Sequence, residues 1–555
     1  MTIVTSQKLH RPQGRKAAPR RHLAPGFFVP APKLNSLRRF ARDESGVMIA
    51  YSVFFFLIML IVGGIGVDFM HFEMKRTRLQ NTLDRAVLAA ADLQQTLDPA
   101  AVVEDYLAKA SINATLSSAP TVNTGLNFRD VAAHATLNVP TQFIHMLGID
   151  TLSAPAAAQA EEKIEAVEIA LVLDVSGSMR SNNRLVNLKP AAREFIDTML
   201  GLAAPGDVNV SIIPYNTQVN AGETLLKHYN VSNEHSYSHC VNFDTADFGT
   251  AALMTAQSLE RTMHFDMFTY SSGSFPPVAS DLNSPICNTA AYSEIMTMEV
   301  NGTTLKNQID ALQAGGNTSI DIGMKWAATL LDPGTRPVIT QMITDGDVDA
   351  VNAGKPLGYD EPNSLKVIVV MTDGQNTSQY MLPDHMRGTM SNVLYDTDSG
   401  RRSILVAHTD GTIEYFWVDD ETMNPEPYGN HDPGPKTAVR LSYQQLFAYN
   451  SVASNARYTY GPYLGLGTAW DTWYTNLPDR VNGTEKDARL QSICSAVKDN
   501  NVVVYAIGFE ATANGNAQLS KCASSPSHFF NATGVSITDV FQSIAVSIAQ
   551  LRLTQ

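Results

Sequence analysis

The feature that most constrains this fold is an uninterrupted apolar run near the start of the chain. Residues 46–67 read GVMIAYSVFFFLIMLIVGGIGV and contain no charged side chain. A run of roughly 20 such residues is long enough to cross a bilayer as a helix. A cleaved signal peptide would have a shorter apolar region, of about 7–15 residues. We therefore expect an uncleaved membrane-spanning helix at 46–67.

The charge on either side of this run predicts its orientation. Residues 1–46 hold ten lysines and arginines against two acidic residues, whereas the whole chain has 40 basic and 54 acidic residues. Because basic flanks stay in the cytoplasm, we expect a basic cytoplasmic tail at 1–43 and a periplasmic or extracellular location for the bulk of the chain. The acidic body also argues against nucleic acid as a partner.

Two segments are predicted before the main domain. The apolar helix is expected to continue beyond the membrane, so that the first segment covers 44–97. Residues 98–165 are rich in small side chains and end in SAPAAAQAEEK. They are predicted to form a small membrane-proximal module followed by a linker.

From residue 166 onward the pattern is that of an α/β domain. VEIALVLD, DVNVSIIPY, LKVIVVMTDG and NVVVYAIGF are apolar runs typical of strands that are covered on both faces of a parallel sheet. Segments with helical periodicity lie between them. This alternation predicts a doubly wound, Rossmann-like domain at 166–552, with helices on both faces of a mostly parallel sheet. Two stretches break the alternation and are expected to be insertions, at about 215–303 and 374–484.

Oxygen-bearing side chains follow the predicted strands. Asp174, Ser176 and Ser178 come directly after the first strand, Thr318 follows a glycine pair, and Asp373 ends another strand. Ligands of such sheets bind beyond the carboxyl ends of the strands. Carboxylate and hydroxyl oxygens suit Mg²⁺, Ca²⁺ or Mn²⁺. An ordinary strand-end turn is the alternative for the first three residues, since Asp and Ser are common there. The five together predict a divalent-metal site.

The tripeptide Thr-Asp-Gly occurs twice, so Asp345 is a rival for Asp373. We prefer Asp373 because the VIVVM before it is typical of a buried strand, whereas VITQMI before Asp345 contains a polar break. The acidic stretch that begins at Asp345 also imitates the start of a calcium loop. However, Ala350 and Pro356 stand where that loop needs Gly and Glu. An acidic surface turn is the favoured interpretation.

The cysteines indicate disulfides. All four lie on the side of the membrane predicted to be exported, where an oxidising compartment favours disulfide formation. The sequence permits three pairings, of which the two between sequence neighbours are the simplest. The four cysteines are Cys240, Cys287, Cys494 and Cys522.

Two resemblances follow from these motifs. D-x-S-x-S, a glycine-flanked Thr and TDG, in that order, resemble the metal-ion-dependent adhesion site (MIDAS) of von Willebrand factor A (VWA) domains. The resemblance covers roughly 166–552 and implies metal-binding roles for the five residues above. In that family Mg²⁺ leaves one coordination position open to an acidic side chain of a protein partner.

The segment from FARDESGV to the end of the long helix resembles TadG-type proteins of Tad/Flp pilus assembly. The C-terminal part is similar as well, and it implies a Cys494–Cys522 disulfide. Prepilins of that system carry Glu at the fifth position after the cleaved glycine, where this chain has Tyr51. This departure favours a permanently anchored assembly or adhesin component over a processed pilin.

The sequence contains no phosphate-binding loop, zinc-protease motif or nucleophile elbow. We therefore expect a non-enzymatic membrane-anchored protein that binds a partner through the metal. An alternative is a structural component of a pilus or secretion complex that works through its anchor helix, with the metal only stabilising loops. A metal-assisted hydrolase is the least favoured hypothesis, although a bound ion with an open position is a Lewis acid.

Overall fold

The computed structural model describes residues 45–551 apart from short gaps. The predicted basic tail at 1–43 lies outside the described residues. The gaps fall at residues 93–94, 96, 111–112, 125–127, 164–165, 202, 204–205, 274, 362–363 and 431–434.

The apolar run forms part of one long helix, Ser45–Ala91. Its first turns expose large apolar side chains, including Phe54, Phe55 and Phe56. In the described part of the chain this is the one helix whose length and apolar composition suffice to cross a membrane. The prediction of a long apolar N-terminal helix is confirmed.

Contacts divide the chain into two compact units, one made of residues up to 75 with 138–154, the other of 76–137 with 155–555. Within the first unit, the carboxylate of Asp68 accepts backbone hydrogen bonds from Gln142 at 2.8 Å and from Phe143 and Ile144 at 2.7 Å each. These bonds attach a short loop to the side of the long helix.

A helix, Pro99–Lys109, and a four-stranded sheet follow the long helix in sequence. The predicted linker, SAPAAAQAEEK, is instead part of a strand, because Ala154 and Ala156 are buried on alternate positions. Alanines carry little hydrophobic contrast, so the two-residue period was not visible in the sequence. The strands are Ala114–Leu116, Thr121–Thr124, Phe128–Pro140 and Thr151–Lys163.

A six-stranded sheet forms the core of the rest of the chain and contains the four apolar runs of the sequence. Five of its strands are parallel, and the sixth, at one edge, is antiparallel. The central strand is buried along its whole length. In order across the sheet the strands are Phe529–Ala532, Val503–Phe509, Ser364–Thr372, Ala166–Asp174, Val208–Tyr215 and Met296–Glu299.

Apolar clusters cover both faces of this sheet. Val172 of the central strand packs in the cluster that contains Trp326, and its neighbour Leu171 packs in the cluster that contains Phe195 and Phe541. The first cluster includes side chains of helices Ile320–Leu331 and Gly483–Asp499. The second includes side chains of helices Arg184–Gly201, Gly302–Ala311 and Ser536–Leu551. The chain is therefore a mixed α/β protein whose central sheet is buried on both faces.

The chain between the sheet strands holds the remaining elements. A β-hairpin turns at Asp410–Gly411, with Arg402–Ala407 antiparallel to Ile413–Trp417. Further strands are Val241–Asn242, Glu260–Arg261, Gln379–Met381, Met390–Asp396, Thr422–Asn424, Ala438–Ser442 and Asp479–Val481. Further helices are Gly222–Leu226, Arg336–Asp345, Tyr443–Tyr449, Val452–Ser454, Gly461–Leu464, Leu466–Trp470 and Ala513–Cys522, with π-helical turns at Asn455–Tyr460 and Asp471–Thr475.

The stretches 215–303 and 374–484 pack against each other. A shared apolar cluster contains Phe265 from the first stretch and Phe447 from the second. Trp473 of the second stretch also packs against buried side chains, so this tryptophan contributes to a second, smaller core. Both disulfides join sequence neighbours, as Cys240–Cys287 and Cys494–Cys522.

Candidate functional site

The candidate site lies at the carboxyl ends of the parallel strands, where Asp174 ends the central strand. The backbone N–H of Gly315 donates to the Val175 carbonyl at 2.8 Å, and the N–H of Gly177 donates to the Gly316 carbonyl at 3.0 Å. Gly316 has φ +78°, and a methyl group there would lie 2.8 Å from Thr217 Oγ1. Glycine is thus required at 316 by the backbone conformation and by the nearby Thr217.

Side-chain hydrogen bonds bring four of the five predicted residues together. The backbone N–H of Ser176 donates to Asp174 Oδ1 at 2.7 Å. Ser178 Oγ donates to Asp373 Oδ1 at 2.7 Å and lies 3.1 Å from Ser176 Oγ. Because the single hydroxyl proton of Ser178 goes to Asp373, Ser176 is the donor in the serine pair. Asp373 joins this chain of contacts from a position 195 residues along the sequence.

The fifth residue, Thr318, reaches the same edge through the loop that follows Asp373. Its N–H donates to Thr377 Oγ1 at 2.9 Å, and its carbonyl accepts from the Thr377 N–H at 3.0 Å. A methyl group placed on Gly374 would lie 3.8 Å from Thr318 Oγ1. The buried ammonium group of Lys486 also donates to the Thr318 carbonyl, at 3.0 Å.

Burial dominates the electrostatics of the site. Asp174 is fully buried and Asp373 is 3% exposed. Burial raises the pKa of Asp174 to about 7, and the negative charge of Asp373 adds to this effect. The hydroxyl of Thr372 opposes it by donating to Asp174 Oδ2 at 2.5 Å. Two carboxylates close together in a buried place favour a bound cation, and the all-oxygen donor set fits a hard divalent ion.

Two charged residues at this edge were not found from the sequence. Arg184 Nη1 lies 2.8 Å from Asp373 Oδ2, and Arg184 Nε lies 3.0 Å from Glu510 Oε2. Glu510 directly follows a parallel strand, so its position at the carboxyl edge was available as a signal. Arg184 begins a helix and matches no motif, so its role could not be predicted from the sequence.

The other Thr-Asp-Gly, at 344–346, lies in a different environment. Asp345 is the last residue of helix Arg336–Asp345, so the polar break in VITQMI belongs to a helix. Lys227 Nζ is 2.8 Å from carboxylate oxygens of both Asp345 and Asp347. His228, Asp345 and Asp347 have ligand atoms within 4.8 Å of one another, a spacing suited to a metal. However, the lysine ammonium already pairs with both carboxylates.

An open groove of about 950 Å³ begins beside the loop that follows Asp373. Its lining is mostly amide, hydroxyl and carboxylate groups, including Asn376, Thr377, Asn482, Asp487 and Asn514. Asp487 accepts hydrogen bonds from the amides of Asn376 at 3.0 Å and Asn514 at 2.9 Å. The groove therefore offers a polar surface next to the five candidate residues.

Comparison with known families gives a match over the N-terminal helix. Residues 46–97 match the family described as putative Flp pilus-assembly TadE/G-like. The predicted resemblance to TadG-type proteins is confirmed for this segment. No curated protein is similar enough in sequence to count as a match.

Among solved structures, the pilus adhesin SpaC of Lactobacillus rhamnosus GG is similar at 11% identity and TM-score 0.30, covering 79% of this chain and 34% of that one. The chain therefore spans about a third of the SpaC structure. The von Willebrand factor domain of the type V pili tip protein Mfa5 from Porphyromonas gingivalis is similar at 14% identity and TM-score 0.31. The match covers 69% of this chain and 95% of that one. The structure of proximal thread matrix protein 1 from the mussel byssus with a zinc-occupied MIDAS motif is similar at 11% identity and TM-score 0.25. The match covers 70% of this chain and 46% of that one. These scores are too low to carry an argument about fold or function.

Proposed function

We propose that this chain is a membrane-anchored, non-enzymatic protein of Tad/Flp pilus assembly or surface adhesion. Its VWA-type domain, at 166–552 with insertions at about 215–303 and 374–484, would bind a protein partner through a divalent metal ion. The observation that carries the proposal is the hydrogen bond between Ser178 and Asp373. It joins two loops, and the sequence of each loop separately predicts metal ligands.

Five residues would hold the ion: Asp174, Ser176, Ser178, Thr318 and Asp373. Their donor set is two carboxylates and three hydroxyls, which suits Mg²⁺ and also Ca²⁺ or Mn²⁺. An acidic side chain of the partner would supply a further oxygen. The polar groove beside Thr377 gives room for the partner segment that carries this acid.

The anchor would be the membrane-spanning part of helix Ser45–Ala91, with the N-terminus in the cytoplasm and the bulk of the chain periplasmic or extracellular. The family match over 46–97 supports the anchor, and the basic composition of residues 1–46 supports the orientation. Protease added outside spheroplasts should degrade the bulk of the chain and leave an N-terminal tag intact. Loss of the tag with the bulk protected would reverse the orientation.

The metal is tested by calorimetric titration of the detergent-solubilised chain with Mg²⁺ and Mn²⁺. One ion per chain is expected to bind, and capture of pilus or secretion-complex proteins from a membrane extract should stop when chelator is added. Capture that is indifferent to chelator would remove the metal-dependent function.

A second candidate is a structural component that works through the anchor helix, with an ion only stabilising the loops. The restriction of the family match to 46–97 favours it, because that segment is the helix itself. Under this alternative Asp174→Ala leaves complex assembly intact, whereas substitutions on the exposed face of the helix abolish it.

A further inference from the structure

Arg184 links the candidate metal site to an acidic residue outside it. Its guanidinium donates to Asp373 Oδ2 at 2.8 Å and to Glu510 Oε2 at 3.0 Å. The arginine side chain is only 15% exposed and that of Asp373 is fully buried. Such charge-assisted hydrogen bonds in a poorly solvated place are stronger than surface ion pairs.

One residue shortly before Arg184 and the glutamate that pairs with it both have an uncommon backbone conformation. Asn182 and Glu510 both have φ +53°. Asn182 Nδ2 also donates to Glu510 Oε2, at 3.1 Å, and the Gly534 N–H donates to Glu510 Oε1, at 3.1 Å. A left-handed glutamate is unfavourable by itself and persists because surrounding contacts hold it. Several elements therefore cooperate to keep the guanidinium against Asp373.

The consequence for Asp373 is that both of its oxygens are engaged. Oδ1 accepts from Ser178 and Oδ2 from Arg184. The positive charge of Arg184 is shared between Asp373 and Glu510, and it makes the five residues less negative than they would be without the arginine. A divalent ion bound there is therefore less fully neutralised by the protein than it would be without Arg184, and an anionic ligand can supply the missing negative charge.

We propose that Arg184 is a specificity-determining residue that lowers the affinity of the site for a metal ion alone and makes the bound ion select an anionic ligand. This inference rests on the proposed function, because it needs an ion at the five residues. It assigns to Arg184 the preference for the acidic ligand that the proposed function already names. It also implies that metal and anion bind cooperatively.

The test measures Mn²⁺ affinity by calorimetric titration of the full chain in detergent. Arg184→Gln should bind Mn²⁺ roughly tenfold more tightly than the unchanged protein, because a positive charge near the ion is removed. The matched control is Arg193→Gln on the same helix, where the exposed arginine pairs with Asp310 instead. It should change the affinity by less than about twofold, since the arginine side chain is 46% exposed and its charge is screened by solvent and paired with Asp310.

A purely structural role for Arg184 predicts the opposite sign, because loss of a positioning contact would disorder Asp373 and weaken Mn²⁺ binding. An affinity of Arg184→Gln equal to or weaker than that of the unchanged protein therefore overturns the inference. If the unchanged protein binds no Mn²⁺, the proposed function itself fails, and the inference fails with it.

Glu510→Gln provides a second variant in case Arg184→Gln does not fold. It keeps the arginine and removes the carboxylate that shares its charge, so Mn²⁺ should bind about threefold more weakly. Unchanged or tighter binding in this variant contradicts the inference. The anion is tested by repeating the titrations in acetate and in chloride of equal ionic strength. Acetate should raise Mn²⁺ affinity in the unchanged protein more than in Arg184→Gln, and equal gains would exclude the anion selection.

Discussion

The two copies of Thr-Asp-Gly show how the preceding element decides what a carboxylate does. Asp373 follows a parallel strand, is buried, and accepts a hydrogen bond from the Ser178 hydroxyl. Asp345 ends a surface helix and pairs with Lys227. An identical tripeptide therefore supplies a candidate metal ligand in one place and half of a surface ion pair in the other.

The glycines of the two copies also have different roles. Gly346 has φ +85° and ends its helix in the left-handed conformation that glycine adopts most easily. Gly374 keeps a negative φ, and a methyl group on it would make only an ordinary contact with Thr318 Oγ1, at 3.8 Å. Gly346 is therefore required by backbone geometry, whereas neither φ nor a close contact requires glycine at 374.

The largest expected effect is at Asp174, the buried carboxylate on the strand beside the one that Asp373 follows. Asp174→Asn keeps the size of the side chain and removes its charge, so Mn²⁺ affinity should fall on the order of 100-fold or more. Calorimetric titration of the detergent-solubilised chain measures it, with the circular dichroism spectrum as a control for folding. Retained affinity would show that the ion, if any, binds elsewhere.

The direct comparison substitutes the same residue type in each copy. Asp373→Asn should weaken Mn²⁺ binding by about tenfold, because it removes a charge that is hydrogen-bonded to Ser178. Asp345→Asn should change the affinity by less than about twofold. A larger effect of Asp345→Asn would mean that the His228, Asp345 and Asp347 cluster holds the ion and that the two copies have exchanged roles.

The two regions should also respond to pH with opposite signs. The pKa of Asp174 is raised to about 7 in the metal-free fold, so the folded chain keeps a proton that the unfolded chain loses above about pH 4. Without metal, the free energy of unfolding should therefore fall as pH rises from about 4 to 7, by at most about 1.4 kcal/mol per pH unit. Lys227 lowers the pKa of Asp345, and the stability from that pair is instead lost as pH falls through the lowered value.

Urea unfolding in chelator across this pH range measures the difference. Asp174→Asn should remove the downward slope between pH 4 and 7, whereas Asp345→Asn should leave it in place. An unchanged slope in Asp174→Asn would show that the buried carboxylate does not carry the proton.

The smallest effect is expected at the ion pair between Lys227 and Asp345. Lys227→Met removes both contacts to Asp345 and Asp347, and the free energy of unfolding should fall only slightly, because the lysine side chain is 39% exposed. Added salt should reduce the difference from the unchanged protein. A salt-independent loss of several kcal/mol would mean that the surface pair is far more important than its exposure indicates.

Strand positions in the central sheet could be predicted because a strand covered on both faces is almost wholly apolar. The runs that became Ala166–Asp174 and Ser364–Thr372 are of this kind. The strand Thr151–Lys163 was missed, because its alanines show no contrast between buried and exposed positions. The preference for Asp373 over Asp345 followed from the same rule, since only Asp373 follows a fully apolar run.

Contacts between distant segments could not be predicted. Arg184 and Glu510 are 326 residues apart, and neither belongs to a motif. Their pairing depends on two loops meeting at the same sheet edge, which requires the full topology. The packing of residues 215–303 against residues 374–484 is of the same kind, because Phe265 and Phe447 mark no pattern in the sequence.

The strands Gln379–Met381 and Asp479–Val481 pair with each other and enclose everything between them. The first of them begins six residues after Asp373, so the ladder lies on the covalent path from the sheet edge to the enclosed segment. Phe447 of that segment also packs in the same apolar cluster as Phe265, so the ladder is not its sole attachment. A displacement of the enclosed segment would therefore reach the Asp373 loop through the backbone and residues 215–303 through the apolar cluster.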